Sequence, residues 1–157
     1  MTQGWQFSAA GRTLPQEDRD YPEWHQGRTH YGVWLIDADI SAVRERITQA
    51  QAHLAPLLVH HQRQPHITLF VCGFVADVVA HGDDFTPAML AAQQAALQAL
   101  QIKAFTLQIG AIDSFDSAVF LRVGDSDNGL APLPHVSGHG TREIRPSAHV
   151  PHLTVRL

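Results

Sequence analysis

The stretch Pro65-His66-Ile67-Thr68-Leu69 has a close counterpart near the end of the chain, Pro151-His152-Leu153-Thr154-Val155. In each stretch a histidine and a threonine stand one residue apart, with aliphatic residues between and after them. Side chains alternate between the two faces of a β-strand. We therefore expect each stretch to form a strand whose histidine and threonine share one face while its aliphatic residues enter a core.

A bare His-x-Thr triplet carries little information here, because the chain contains 11 histidines. His139-Gly140-Thr141 is such a triplet, and it lies in a glycine-rich segment without the preceding proline or the aliphatic residues. We interpret it as coincidental. The competing interpretation of the other two stretches is a pair of ordinary strands with half-buried histidines, and the shared proline and aliphatic positions argue against it.

Length and composition indicate one folded domain. The chain has 157 residues, of which 45% are hydrophobic and 17% charged, and these values are typical of a globular protein with a substantial core. The net charge of -4 argues against binding to duplex DNA, which needs a basic face. Cys72 is the single cysteine, so an internal disulfide is excluded, and its apolar surroundings predict a buried, inert thiol.

The sequence also predicts a soluble, cytoplasmic protein that has no membrane partner. No stretch approaches the roughly 20 apolar residues of a membrane-spanning helix. The N-terminus lacks the basic and apolar regions of a secretion signal. We expect a monomer.

The first half of the chain predicts an irregular N-terminal arm over residues 1–28, followed by a single domain over residues 29–157. Residues 31–36 are typical of a strand that is buried on both faces. A helix follows up to residue 54, because apolar residues recur there at steps of three and four, and Asp39 is the expected N-cap. The first motif strand comes next and is expected to end at Gly73.

The second half predicts one more helix and three strands. Thr86 is suited to cap a helix that begins at Pro87 and continues to Leu100. Alternating residues predict strands over 105–111 and 119–123, joined by a turn in which Asp113 and Asp116 take part. Residues 124–148 predict a loop with a short helical turn. The second motif strand closes an α+β domain.

Paired histidines on strands are suited to acid–base catalysis. Histidine has an unperturbed pKa of about 6.5, so it accepts or donates protons near neutral pH. One histidine would take a proton from the attacking group and the other would give one to the leaving oxygen, each contributing roughly 10²–10⁴-fold. The hydroxyl groups of Thr68 and Thr154 would donate hydrogen bonds to a phosphate, without a metal or a cofactor.

These paired motifs resemble those of the 2H phosphoesterases, the LigT-like RNA 2′,3′-cyclic phosphodiesterases also known as 2′-5′ RNA ligase-like proteins. The resemblance covers roughly residues 31–157, with the histidines 86 residues apart (152 minus 66) and Gly73 seven positions after the first. It implies a bilobal fold with two antiparallel sheets around a central cleft and helices on the outside. It also implies metal-independent hydrolysis of 2′,3′-cyclic or 2′,5′-linked phosphodiesters in nucleotides or RNA ends.

By this resemblance, His66 and His152 are the acid–base pair, and Thr68 and Thr154 hold the phosphate. Which histidine is the base stays open. The chain departs from the family pattern in two respects: relatives commonly have further strands after the second motif, and a helix where residues 124–148 predict a loop. An alternative function is therefore a catalytically inactive module of the same fold that binds nucleotides or RNA ends.

Other residues are secondary candidates for substrate contacts. Arg63, Arg142 and Arg145 are suited to bidentate contact with a phosphate, and the competing interpretation is a solvated loop. Tyr31 could stack on a base, although core packing is the commoner role of such a residue.

A third hypothesis is a metal site at His60, His61 and His66. Adjacent histidines of a strand face opposite ways, and the sequence has no His-x-x-x-His helix pair and no cysteine cluster. We predict no metal.

Overall fold

The computed structural model describes residues 14, 17, 19–58, 63–144 and 149–156. Within them, two three-stranded sheets are accompanied by four helices and a 3₁₀ turn. The helices are α1 (Pro22–His25), α2 (Ser41–Leu54), α3 (Pro87–Ala99) and α4 (Leu133–Ser137). The strands are β1 (Tyr31–Asp37), β2 (His66–Val75), β3 (Asp84–Phe85), β4 (Gln108–Ser114), β5 (Val119–Gly124) and β6 (His152–Arg156).

The first sheet has the strand order β1-β2-β3 and holds the first motif on its central strand. Strands β1 and β2 are antiparallel, and Asp37 lies opposite His66. The short strand β3 pairs with β2 in parallel. Gly73 has a φ of 117° and its backbone approaches the carbonyl of Asp83 so closely that a Cβ would lie 2.2 Å from that oxygen. Only glycine fits this approach, which brings β3 alongside β2.

The second sheet has the strand order β4-β5-β6, and both pairs are antiparallel. The second motif lies on β6, where Arg122 of β5 is opposite His152 and Phe120 is opposite Thr154. The two sheets therefore share a unit in which a motif strand pairs with an antiparallel neighbour. That unit is β1 with β2 in the first sheet and β5 with β6 in the second.

One hydrophobic core joins the two sheets. Ile67 and Leu69 from β2 enter the same buried cluster as Leu153 and Val155 from β6. Helix α2 covers this cluster with Val43, Ile47 and Ala50. Full burial of one such aliphatic side chain contributes about 1.5–3 kcal/mol, so the aliphatic positions of the motifs hold the sheets together.

A buried glutamine fixes α3 to the first sheet. Gln93 is fully buried, and its side-chain oxygen accepts a 2.7 Å hydrogen bond from Nε1 of Trp34. Its amide nitrogen donates to Oγ1 of Thr141 at 2.9 Å. Helix α3, strand β1 and the loop after α4 are thereby connected through one side chain.

The α+β fold class and the main elements predicted from the sequence are confirmed. Helix α3 begins at Pro87, and Oγ1 of Thr86 accepts from the backbone N–H of Met89 at 3.3 Å, as the capping pattern predicts. A short helix, α4, lies in the segment expected to be mostly loop. The sheets are not wholly antiparallel, because β3 adds a parallel pair.

Three local predictions were wrong. Strand β1 is not buried on both faces: it lies at the edge of the described sheet, and its alternate side chains from Tyr31 to Asp37 are exposed. Asp39 does not cap α2, whose N-cap is Ile40; its carboxylate instead accepts from Nη2 of Arg44 at 2.7 Å. Strand β2 continues past Gly73 to Val75, since β3 pairs with it there.

The predicted N-terminal arm is only partly among the described residues. In that part, α1 forms where irregular chain was expected, with Pro22 in its first turn. Arg28 then bonds to both Asp83 and Asp84 of the first sheet, at 2.6 and 2.8 Å.

Candidate active site

Both motif strands have the alternation that the sequence predicts. Ile67 is 2% exposed and Leu153 is fully buried, and each points into the shared core. The histidine and threonine on either side of each aliphatic residue are only partly buried. The polar groups of each motif therefore lie on the face that points away from the core.

The imidazole of His66 is held in one tautomer by two neighbours. Its Nδ1 lies 2.8 Å from the carbonyl oxygen of Gln64 and donates to it. Arg63 Nη2, which is always a donor, lies 3.3 Å from Nε2. Nε2 therefore carries the lone pair and is the proton-accepting atom of this ring.

The imidazole of His152 is held in a corresponding way. Its Nδ1 lies 2.6 Å from the carbonyl oxygen of Val150, which is again the residue two positions earlier. The ring also packs edge-on against Phe115 and Phe120, with centroids 5.0 and 5.2 Å away. Because Nδ1 donates to a backbone carbonyl in both motifs, Nε2 is the ring nitrogen suited to exchange a proton with a substrate.

The two motifs meet where the sheets adjoin. Strands β2 and β6 contact each other there. His149, just before the second motif, donates from Nε2 to the carbonyl oxygen of Thr68 at 2.9 Å. Because both strands bury their aliphatic residues in one core, their polar faces both point to the side away from it.

The surroundings of the two histidines differ in charge. The residue opposite His66 is Asp37, whose carboxylate accepts from the backbone N–H of Asp39 at 2.9 Å. The residue opposite His152 is Arg122, and its Nε lies 3.5 Å from Oδ2 of Asp113. Sequence reasoning missed this arginine, although a charged residue between Leu121 and Val123 in a strand was a usable signal.

Asp113 is not the turn residue that the sequence predicts. It is the sixth residue of β4, and its side chain is 1% exposed. The strand begins later than expected and runs to Ser114, because a register shift between Ile109 and Ile112 changes the alternation. The turn itself lies further on, where the N–H of Phe115 donates to the carbonyl oxygen of Ala118 at 2.9 Å.

The secondary candidates for substrate contacts lie at different distances from the two motifs. Arg63 contacts His66, and nearby protein desolvates its guanidinium and lowers its pKa. Arg142 lines a pocket of about 530 Å³ with Phe70, which lies two residues after Thr68 on the same strand. Tyr31 pairs with Phe74, eight residues along β2 from His66, so it lies away from the motif. Arg145 lies outside the described residues.

Cys72, the single cysteine, is buried. Burial raises the pKa of the Cys72 thiol to about 11, which keeps it protonated and inert as predicted. The described residues contain no group of three or more His, Cys, Asp or Glu suited to hold a metal ion. His60 and His61 are not among them. No described helix is long and apolar enough to span a membrane.

Comparison with known proteins identifies the class to which this fold and site belong. Residues 38–157 match the family model of the 2′-5′ RNA ligase superfamily, the LigT-like 2H phosphoesterases. The matched region contains both motifs and most of the described structure. The chain therefore belongs to this superfamily, whose members generally catalyse reactions of phosphoesters. No curated protein and no solved structure matches the chain.

Proposed function

We propose that this protein is a metal-independent phosphodiesterase that hydrolyses 2′,3′-cyclic phosphates, or related 2′,5′-linked and cyclic nucleotide diesters. The observation that carries the proposal is the shared geometry of the two motifs. In each, a backbone carbonyl two residues earlier accepts from Nδ1 of the histidine. Nε2 of His66 and of His152 is then the atom that exchanges protons with substrate.

Hydrolysis of a cyclic phosphate requires one proton to be removed and one to be supplied. Nε2 of one histidine takes a proton from water while the water oxygen bonds to phosphorus. Nε2–H of the other gives a proton to the ribose oxygen as its bond to phosphorus breaks, which leaves a phosphomonoester and a free hydroxyl. The hydroxyl groups of Thr68 and Thr154 donate to the non-bridging oxygens, where charge is concentrated.

The secondary contacts follow from this assignment. Arg63 is a candidate for the phosphate near His66, since its Nη2 is already 3.3 Å from Nε2 of that ring. Arg142 is a candidate for a more distant part of the substrate in the pocket beside Phe70. Tyr31 is not included, because it lies at the other end of β1.

The decisive experiment is turnover of a panel of cyclic and 2′,5′-linked nucleotides, with and without EDTA. We expect hydrolysis that EDTA does not reduce and that the His66→Ala/His152→Ala double variant lacks. His53→Ala is the matched control, since His53 is exposed in the last turn of α2. Full activity of the double variant would end the proposal. Tight binding of a nucleotide with no hydrolysis at any pH would instead identify an inactive nucleotide- or RNA-end-binding module.

A further inference from the structure

A buried ion pair stands beside the second motif. Nε of Arg122 lies 3.5 Å from Oδ2 of Asp113, and the two side chains are 25% and 1% exposed. Arg122 is directly opposite His152 across the β5–β6 pair. Residues opposite each other in antiparallel strands share a face and have Cβ atoms about 4.5–5.5 Å apart. The guanidinium therefore lies on the same face as the imidazole.

Asp113 holds this arginine from the neighbouring strand. Asp113 pairs with Phe120, and Phe120 pairs with Thr154, so a row across the sheet leads from the carboxylate to the threonine of the motif. A carboxylate that is 1% exposed is costly to bury without a cation. Its contact with Nε restricts the orientation of Arg122.

A ligand can reach the arginine. Arg122 lines an open pocket of about 870 Å³, together with His149 and Pro151, which precede His152. His149 in turn bonds to the backbone of Thr68. The pocket thus reaches the residues directly before His152, and one of these, His149, is bonded to the first motif strand.

We propose that Arg122 binds the phosphate of the substrate on the His152 side of the site, and that Asp113 is its positioning residue. This inference rests on the proposed function. A planar guanidinium has five N–H donors and matches two phosphate oxygens at once. The corresponding position opposite His66 holds Asp37, a carboxylate that repels phosphate. The cation opposite His152 thus comes from the neighbouring strand, whereas the cation beside His66 is Arg63, from the loop before β2.

The test measures binding, so that it does not depend on turnover. Binding of a nucleoside 2′-monophosphate, a product of the proposed reaction, is measured by calorimetry for the wild type and for Arg122→Gln. We expect the variant to bind roughly ten- to a hundredfold more weakly, the range for loss of a charged hydrogen bond. Arg19→Gln is the matched control, since Arg19 is also paired with a carboxylate, that of Glu23 in α1, and lies outside both sheets.

Arg122→Gln removes the cation that lies 3.5 Å from the buried carboxylate of Asp113, so loss of stability must be separated from loss of binding. The Asp113→Asn/Arg122→Gln double variant removes both charges and is expected to recover thermal stability but not nucleotide binding. Arg122→Lys keeps the charge but not the bidentate geometry, and we expect intermediate binding. A purely structural ion pair predicts instead that the double variant recovers both properties.

The outcomes distinguish this inference from the proposed function. Wild-type-like binding and KM in the double variant overturn the role of Arg122 even if the protein is an active phosphodiesterase. Failure of the wild type to bind the nucleotide at millimolar concentration overturns it as well. Conversely, Arg122-dependent binding by a protein that hydrolyses nothing supports Arg122 and contradicts the phosphodiesterase.

Discussion

The two motif strands have the same local structure in different surroundings. Each histidine follows a proline, and the residue before a proline is restricted to extended backbone. The carbonyl of that residue, Gln64 or Val150, accepts from Nδ1 of the histidine in both strands. Local sequence is therefore sufficient to orient both rings in the same way.

The surroundings are set by tertiary structure. Three residues before His66 is Arg63, which contacts the ring; three residues before His152 is His149, which contacts the other motif strand. The residue opposite His66 is acidic, and the residue opposite His152 is basic. One half-site is polar and open, while the other is packed against aromatic rings. Two copies of one motif thus have the same local geometry and different neighbours.

The largest effect is expected when either histidine is removed. His66→Ala and His152→Ala should each reduce turnover by about 10²–10⁴-fold, because the proposed mechanism assigns one of the two proton transfers to each ring. The two variants should differ in stability. Only His152 packs against Phe115 and Phe120, so its removal should lower the free energy of unfolding by about 0.5–1.5 kcal/mol more.

Initial rates on a cyclic nucleotide and urea unfolding of the same preparations check both expectations. His66→Asn and His152→Asn keep a polar side chain that is larger than alanine, and they serve as the control for packing. Equal loss of stability in the two alanine variants would contradict the contrast between a polar and an aromatic half-site.

The residues opposite the two threonines should give the next largest effect. Phe120 lies opposite Thr154 and is fully buried, whereas Leu35 lies opposite Thr68 and is 41% exposed. Phe120→Ala should lower the free energy of unfolding by about 3–5 kcal/mol, because a buried ring leaves a cavity. Leu35→Ala should change it by about 0.5 kcal/mol, as expected at an exposed site.

Urea unfolding of the two variants tests this difference directly, because the positions are equivalent in register. A loss of more than about 2 kcal/mol in Leu35→Ala, well beyond the range for surface sites, would show that the outer face of β1 is covered in solution.

The parts of the fold that could be predicted are those determined by residues close together in the sequence. The alternation of Ile67 and Leu69 against His66 follows from the period of a strand, and it is confirmed. The start of α3 follows from Thr86 and Pro87, whose side chains act within one turn. These features need no knowledge of what packs against them.

The parts that were missed depend on pairing between strands. Whether one or both faces of β1 are covered is decided by the elements that pack on the sheet, and alternate residues from Tyr31 to Asp37 are exposed. The position of Asp113 in β4 depends on a register shift against β5, and its contact with Arg122 depends on the same register. Residues close in sequence do not determine which strands pair or in which register. Sequence reasoning therefore did not find the ion pair between Arg122 and Asp113.

A smaller effect is expected from the ion pair of the first sheet. The backbone N–H of Ala80, followed by that of His81 and the guanidinium of Arg28, lowers the pKa of Asp84 from 3.8 to about 2, against desolvation, which raises it. The folded-state pKa is thus below the unfolded value. The carboxylate therefore stabilises the fold fully above about pH 4, and this stabilisation is lost as pH falls towards 2.

Urea unfolding between pH 6 and pH 2 checks this expectation. Asp84→Asn should be less stable than the wild type at pH 6, and the two should converge as pH approaches 2. The exposed Asp77 provides the control variant Asp77→Asn, which leaves that pH dependence in place. A difference between wild type and Asp84→Asn that stays constant down to pH 2 would exclude a linked proton at Asp84.

The smallest effect is expected at the residue three positions before the first histidine, and its sign is informative. Arg63 Nη2 lies 3.3 Å from Nε2 of His66, which is a long hydrogen bond. If Arg63 binds the substrate phosphate, Arg63→Gln should raise KM by about three- to tenfold, as loss of one hydrogen bond near 1 kcal/mol would. If Arg63 only blocks Nε2 of His66, the variant should instead be more active, because the substrate no longer has to displace the guanidinium from that atom. We expect the higher KM with kcat little changed, since the arginine contacts phosphate in the ground state as well as the transition state.

Arg142→Gln is the comparison that sharpens this result, because Arg142 lies beside Phe70 rather than beside the ring of His66. An equal rise of KM in both variants for a mononucleotide would show that the contact with His66 gives Arg63 no special role.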